Sequence, residues 1–136
     1  MEKTSVLVLI AEDEAQIRDI LQDSFEEGGF DVHLVSTGEE AINALDDGDE
    51  PPRAVVTDIN LGGKATGWDV ARHARTTRPD MPVVYMTGTE GADWASLGVP
   101  NSILITKPFA PSQVLTAVSQ LLNAAATAAP PPPPTN

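Results

Sequence analysis

Apolar residues along the chain alternate between two spacings, one typical of buried strands and one typical of amphipathic helices. Ser5–Ile10 is apolar after its first residue, which favours a strand buried on both faces of a parallel sheet. The next segment carries apolar residues at helical spacing and ends in two glycines: Ile17, Ile20, Leu21 and Phe25, then Gly28 and Gly29. Asp13 is the predicted N-cap of this helix, with Glu14 in its first turn.

The same alternation repeats along the rest of the chain. The further predicted strands are Phe30–Val35, Arg53–Thr57, Met81–Met86 and Ser102–Thr106. The further predicted helices are one that begins at Thr37-Gly38, then Gly67–Thr77, a short stretch within Glu90–Leu97, and Pro111–Asn123. This alternation predicts an α/β fold, a doubly wound parallel sheet with helices on both faces.

Length and C-terminal composition divide the chain into two parts. A chain of 136 residues suits a single domain, which we place at residues 1–123. Residues 124–136 are rich in alanine and include five consecutive prolines, which predicts a disordered tail with polyproline II character. The N-terminus leads straight into the first strand, so we expect no secretory signal and a cytoplasmic location.

Composition removes several kinds of chemistry from consideration. The sequence has no cysteine, which excludes disulfides, thiolate metal sites and cysteine nucleophiles. Its two histidines are too few for a histidine-rich metal site. A formal net charge of -12 disfavours nonspecific binding to nucleic acid or to an anionic membrane. The longest apolar runs are far too short to span a membrane.

Polar residues end the apolar pattern at four predicted strands. Glu12 and Asp13 follow the first strand, Asp58 the third, Thr87 the fourth and Lys107 the fifth. Parallel strands bring their carboxyl ends to one edge of the sheet, where open α/β sheets place ligands. We therefore expect these five residues to converge.

Three carboxylates in one place need neutralising charge. At a separation of about 4 Å and an effective dielectric near 20, each pair repels by roughly 4 kcal/mol. Lys107 supplies one positive charge, and Mg²⁺, which prefers oxygen ligands, would supply the rest. Such surroundings suit phosphoryl transfer to Asp58, with Mg²⁺, Lys107 and the Thr87 hydroxyl each contacting an oxygen of the phosphoryl group.

This set of motifs resembles the receiver domains of two-component response regulators, over about residues 5–123. The resemblance rests on the acidic pair Glu12-Asp13, on Asp58, on Thr87-Gly88 and on Lys107-Pro108, each at its expected strand end. It implies a flavodoxin-like fold with five parallel strands in the order 2-1-3-4-5, and phosphorylation of Asp58 by a sensor histidine kinase.

The resemblance also assigns roles to individual residues. The implied site consists of the phosphoacceptor Asp58 with Thr87 and Lys107, and of a Mg²⁺ site made by Glu12, Asp13, Asp58 and Asn60. Within the Mg²⁺ site, Glu12 acts through water and the other three residues bind directly, Asn60 by its backbone carbonyl. The Lys107-Pro108 peptide bond is implied to be cis.

Three features depart from the family pattern. Leu104 occupies the switch position three residues before the lysine, where receivers usually carry Tyr or Phe, so the usual aromatic movement coupled to Thr87 is unavailable. The Leu61–Gly67 loop is longer than the usual proline-glycine turn, and we expect either a mobile loop or an approach of Lys64 to the site. The fourth helix, which usually belongs to the partner face, is predicted to be short.

We interpret the sequence as a single-domain bacterial response regulator that accepts a phosphoryl group on Asp58 and signals through a partner or a phosphorelay. It would catalyse its own phosphotransfer and autodephosphorylation without being an enzyme on another substrate. Beyond the kinase, a downstream protein, a histidine phosphotransfer protein and a second copy of the chain are left open as partners.

Two alternatives belong to other functional classes. A pseudo-receiver would keep the fold as a binding module without phosphorylation, and Leu104 at the switch position leaves this alternative open. A phosphatase of the haloacid-dehalogenase type would also form an aspartyl phosphate. Such an enzyme needs an acid two residues after its nucleophile, where this chain has Asn60.

Overall fold

The computed structural model describes residues 6–47, 50–88 and 93–127, and strands and helices alternate throughout these ranges. The strands are β1 (Leu7–Ala11), β2 (Asp31–Val35), β3 (Ala54–Asp58), β4 (Val83–Thr87) and β5 (Ile103–Thr106). The helices are α1 (Ala15–Glu27), α2 (Gly38–Asp46), α3 (Gly67–Thr77), α4 (Trp94–Leu97) and α5 (Pro111–Thr127). Within the same ranges, no helix combines the length and the apolar character needed to cross a membrane.

The strands form one parallel sheet in the order β2-β1-β3-β4-β5, which confirms the predicted fold class and strand order. The register aligns the carboxyl ends of neighbouring strands: Ala11 lies opposite Thr57, and Thr87 lies opposite Thr106. The segments that leave β1, β3, β4 and β5 therefore begin along the same edge of the sheet.

Helices cover both faces of the sheet, and neighbouring residues of a strand contribute to different layers of the core. On β1, Leu9 packs in the layer that contains α2 and α3, whereas Ile10 packs in the layer that contains α1 and α5. Both side chains are fully buried. A strand buried on both faces carries no polar alternation, which explains the continuous apolar runs in the sequence.

The helices begin in two different ways. Thr66 caps α3 by accepting a hydrogen bond from the N–H of Asp69, whose carboxylate accepts one from the N–H of Thr66 in return. Helix α1 instead has Glu14 at its N-cap position, with no capping hydrogen bond from that side chain. The predicted capping role of Asp13 is wrong, because the Glu12 carboxylate accepts the hydrogen bond from the N–H of Glu14 and Asp13 is exposed.

Some observed element boundaries differ from the predicted ones, at two strand ends and in the tail. β3 and β4 each include the polar residue after the apolar run, so Asp58 and Thr87 are the last residues of their strands. Helix α5 continues to Thr127, because three consecutive alanines, the strongest helix formers, follow Asn123. The predicted disordered tail is therefore wrong for 124–127, and residues 128–136 lie outside the described residues.

Helix α4 is as short as the sequence predicts, at Trp94–Leu97. The first part of the predicted span, residues 90–92, lies outside the described residues. The helix ends at Gly98, where any side chain would overlap the indole ring of Trp94. Glycine at this position thus allows Trp94 to fold back over the end of its own helix.

Candidate functional site

Three strand ends bring two carboxylates and an ammonium group into direct contact. Glu12 follows β1, Asp58 ends β3 and Lys107 follows β5. The Nζ atom of Lys107 lies 3.0 Å from Oε1 of Glu12 and 3.0 Å from Oδ2 of Asp58. Glu12 is fully buried and Asp58 is 5% exposed, whereas the Lys107 side chain is 18% exposed, so the two carboxylates are the most shielded part of this network.

Asp13 and Thr87 lie at the same edge of the sheet. Asp13 is exposed, and one of its carboxylate oxygens forms a cluster with oxygens of Glu12 and Asp58, all within 4.8 Å of one another. Thr87 is buried, and its carbonyl accepts a hydrogen bond from the N–H of Lys107 at 2.7 Å. The Lys107-Pro108 bond is cis, as the resemblance implies. The predicted residues do converge, while their roles stay predictions.

The pKa values of the site show that one ammonium group does not compensate the buried carboxylates. Burial raises the pKa of the Glu12 carboxyl to about 7, against an ordinary value of 4.5. Burial also raises the pKa of Asp58, although Lys107 opposes that shift. Burial lowers the pKa of Lys107, but its hydrogen bonds to the two carboxylates outweigh this effect and the pKa is raised.

A hard divalent cation fits this surplus of negative charge. Glu12, Asp13 and Asp58 offer carboxylate oxygens at short mutual distances, and Mg²⁺ favours oxygen ligands. Asn60, two residues beyond Asp58, is exposed, as is Asp13, so the cluster borders solvent on the side where these two residues lie. The residues present are therefore suited to hold Mg²⁺.

We expect the metal-free protein to lose stability as the pH rises from about 4.5 to 7. The folded state of Glu12 holds its proton up to a pKa of about 7, whereas the unfolded state releases it near 4.5. The folded state thus binds more protons in this window, and the free energy of unfolding falls with rising pH, by up to about 3 kcal/mol. The raised pKa of Asp58 acts in the same direction.

Urea denaturation in EDTA between about pH 5 and pH 8 measures this slope. The Glu12→Gln variant should show a clearly flatter dependence, while Glu26→Gln, which changes an exposed residue of α1, should keep the wild-type slope. Carboxyls with a lowered pKa, such as Asp69, titrate below this window and do not interfere. A slope that is the same in Glu12→Gln and in wild type would contradict the assignment.

Hydrogen bonds hold the loop after β3 at several points, whereas the predicted approach of Lys64 to the site stays a prediction. The N–H of Gly67 donates to the carbonyl of Ile59 at 2.8 Å, which closes the loop. At Gly67 any Cβ would overlap the carbonyl oxygen of Asp58, so this position requires glycine. The Glu39 carboxylate of α2 accepts hydrogen bonds from the N–H groups of Lys64 and Ala65 at 2.9 and 3.0 Å.

A buried aromatic residue of β4 lies beside the switch position of β5. Leu104 lies opposite Tyr85 in the register of the two strands. Tyr85 is fully buried, and its hydroxyl accepts a hydrogen bond from the N–H of Val99 at 3.0 Å. Its ring packs against Trp68 with centroids 4.8 Å apart. Tyr85 is thus a buried aromatic residue beside the switch position, held by contacts to Val99 and Trp68.

Residues that the sequence pattern did not single out also shape the site. Arg18 donates a hydrogen bond from Nη1 to the carbonyl oxygen of Glu12 at 2.8 Å. The Glu14 carboxylate lies 3.8 Å from Nζ of Lys107. The sequence offered one clue to these contacts, the spacing of the two residues. Arg18 follows Glu14 by four residues, which places both side chains on the same face at the start of the helix.

Comparison with known proteins agrees with this geometry. The family model of the response regulator receiver domain matches residues 8–119. A response regulator receiver protein from Sinorhizobium medicae, known from its crystal structure, is 45% identical with a TM-score of 0.86, over 90% of this chain and 98% of that chain.

Curated relatives give the same result at lower identity. The response regulator SaeR of Staphylococcus aureus is 30% identical over 117 residues, 85% of this chain and 50% of that protein. The response regulator MprA of Mycolicibacterium vanbaalenii is 29% identical over 119 residues, 86% of this chain and 50% of that protein. The chain thus spans about half the length of these relatives. From the family match, the site and the fold together, the chain belongs to the response regulator receiver domains of two-component systems.

Proposed function

We propose that the chain accepts a phosphoryl group on Asp58 from a phosphohistidine of a sensor kinase. The observation that carries this proposal is the buried Asp58 carboxylate, which lies 3.0 Å from the Lys107 ammonium within a cluster of three acids. In the transfer, a carboxylate oxygen of Asp58 forms a bond to phosphorus as the bond to the imidazole nitrogen breaks. The imidazole leaves with the electron pair of that bond.

The surrounding residues would serve positioning and charge neutralisation, which dominate phosphoryl transfer. Lys107 already contacts Asp58 and would bind one oxygen of the transferred group. The hydroxyl of Thr87, at the end of β4, would bind another. Mg²⁺ held by Glu12, Asp13, Asp58 and the Asn60 carbonyl would neutralise charge on the phosphoryl oxygens.

The chain would then release the group itself. A water molecule attacks phosphorus, the bond from phosphorus to the Asp58 oxygen breaks, and inorganic phosphate leaves with the carboxylate restored. We therefore propose self-catalysed phosphotransfer and autodephosphorylation rather than action on a separate substrate.

We propose that the phosphorylated chain signals as a single-domain, cytoplasmic regulator. Its output would be docking onto a downstream protein or a second copy, or transfer to a histidine phosphotransfer protein. The net charge of -12 supports a protein partner over nucleic acid or an anionic membrane. Phosphorylation adds charge next to Thr87 and Lys107, which is the event that would bias the partner surface.

A pseudo-receiver is the second candidate, because Leu104 stands where receivers usually carry an aromatic switch residue. Such a module would keep the fold and the acidic cluster without using phosphorylation.

A phosphorylation assay distinguishes the two candidate functions, a phosphorylated receiver and a pseudo-receiver. The chain is incubated with acetyl phosphate and Mg²⁺, and its intact mass is compared with a sample in EDTA. We expect a gain of one phosphoryl group that requires Mg²⁺ and decays on removal of the donor. If neither acetyl phosphate nor a panel of histidine kinases adds mass, the pseudo-receiver is the better description.

A further inference from the structure

We infer that Arg18 is a positioning residue for the metal-binding acids, an inference that rests on the proposed Mg²⁺-dependent function. Its Nη1 group donates a hydrogen bond to the carbonyl oxygen of Glu12 at 2.8 Å. That carbonyl belongs to the peptide bond that joins Glu12 to Asp13. A single side chain thus contacts the backbone between two of the three clustered carboxylates.

The position of Arg18 follows from the first turn of α1. Its N–H donates to the carbonyl of Glu14 at 3.0 Å, which places Arg18 one turn inside the helix. The arginine side chain is half-buried there, and it reaches back past the helix start to the loop that follows β1. Because α1 packs on the sheet through Leu21 and Phe25, the guanidinium group is held by a rigid element.

The loop between β1 and α1 is short, and Glu12 is anchored through each of its polar parts. Its N–H donates to the carbonyl of Val35 at 3.1 Å, and Oε2 accepts from the N–H of Glu14 at 3.0 Å. Lys107 lies 3.0 Å from Oε1. Arg18 anchors the remaining group, the carbonyl oxygen.

Asp13 depends on this backbone for its position more than Glu12 does. Glu12 is fully buried, so packing restrains its side chain, whereas Asp13 is exposed. A peptide group is planar, so turning the Glu12 carbonyl also turns the N–H of Asp13 and redirects its side chain. By holding that carbonyl, Arg18 would keep the Asp13 carboxylate within the oxygen cluster. Groups that orient metal ligands in this way commonly contribute about 10- to 100-fold in metal affinity.

The test measures Mg²⁺ affinity directly, by calorimetric titration of the intact chain with MgCl₂. We expect Arg18→Met to weaken Mg²⁺ binding about 10-fold. Arg18→Lys, whose ammonium can still donate to the carbonyl, should fall between Arg18→Met and wild type. Arg72→Met is the matched control, because Arg72 is exposed on α3 and pairs with Asp69, and it should bind Mg²⁺ like wild type.

Phosphorylation by acetyl phosphate supplies a second readout. The rate in Arg18→Met should be low at limiting Mg²⁺ and approach that of wild type at saturating Mg²⁺, which a purely structural defect would not produce. An unchanged Mg²⁺ dissociation constant in Arg18→Met overturns the inference, even if the melting temperature falls. If that variant does not fold, Arg18→Ala, which also lacks the donor, is measured instead, and an unchanged dissociation constant there overturns the inference. Failure of the wild-type chain to bind Mg²⁺ overturns the proposed function as well.

Discussion

Replacing Asp58 with Asn is expected to abolish incorporation of the phosphoryl group while preserving the fold. An amide has the size of the carboxylate but does not supply the nucleophilic oxygen that bonds to phosphorus. Asp58 lies on a fully buried strand, and asparagine has nearly the same volume, so the change leaves no cavity there. Phosphoryl incorporation is therefore expected to be lost completely, while the fold changes little.

Intact-mass spectrometry after incubation with acetyl phosphate and Mg²⁺ measures the effect. Asp23→Asn, which makes the same change on the exposed surface of α1, is the matched control and should gain one phosphoryl group as wild type does. A phosphorylated Asp58→Asn protein would show that another residue is the acceptor and would remove the basis of the proposal.

The stability of Asp58→Asn gives an independent check. Because burial raises the pKa of Asp58 despite its contact with Lys107, the ionised carboxylate is disfavoured in the metal-free fold. A neutral amide avoids this cost, so in EDTA at about pH 8 the variant should be at least as stable as wild type. Added Mg²⁺ should stabilise wild type more than the variant, since one ligand has been removed.

The sequence was sufficient to predict which residues meet at the site, because residues at the carboxyl ends of parallel strands lie near one another in the folded sheet. Glu12, Asp58 and Lys107 each end an apolar run, and parallel strands bring such ends to one edge. The helices followed from apolar spacing, and α3 was predicted with its observed bounds, Gly67–Thr77.

Contacts that depend on side chains from distant elements could not be predicted in this way. Nothing in the local pattern indicates that Glu39 of α2 binds the loop after β3, twenty-five residues further along the chain. Asp13 and Glu12 both precede α1, and local preference could not decide which of them would bind the N–H of Glu14 at the N-cap position. Glu12 does so because it is drawn inward, where it also contacts Lys107.

The switch position illustrates the same limit. Leu104 stands where the family pattern has an aromatic residue, and the sequence alone shows only that this aromatic side chain is absent from the switch position. The register of β4 and β5 shows that Tyr85 lies directly opposite, with its hydroxyl bonded to the backbone of Val99. The side chain that lies beside Leu104 can be identified only when the strand register is known.

Replacing Lys107 with Met is expected to destabilise the metal-free protein and to slow phosphorylation sharply. The ammonium group lies 3.0 Å from both Glu12 and Asp58, and the methionine side chain would leave two buried carboxylates facing each other. Removing one partner of a buried ion pair costs about 3–5 kcal/mol. Lys107 is 18% exposed and the acids can take up protons, so we expect about 2–3 kcal/mol at neutral pH.

The phosphorylation rate of Lys107→Met should fall by about 100-fold, because the variant lacks a preorganised cation for the developing negative charge. Urea denaturation in EDTA and a time course of acetyl phosphate labelling measure the two effects. Lys64→Met is the matched control, since Lys64 is exposed and Glu39 binds its backbone N–H rather than its side chain.

Measuring the stability of Lys107→Met with and without Mg²⁺ shows whether Lys107 neutralises the buried carboxylates or only packs against them. If Lys107 and the metal compensate the same carboxylates, saturating Mg²⁺ should recover much of the stability lost in Lys107→Met, because Mg²⁺ then supplies the missing positive charge. The rate of phosphorylation should not recover to the same extent, since the ammonium group would contact a phosphoryl oxygen that the metal does not. Equal loss of stability with and without Mg²⁺ would contradict this division of labour and assign Lys107 to packing alone.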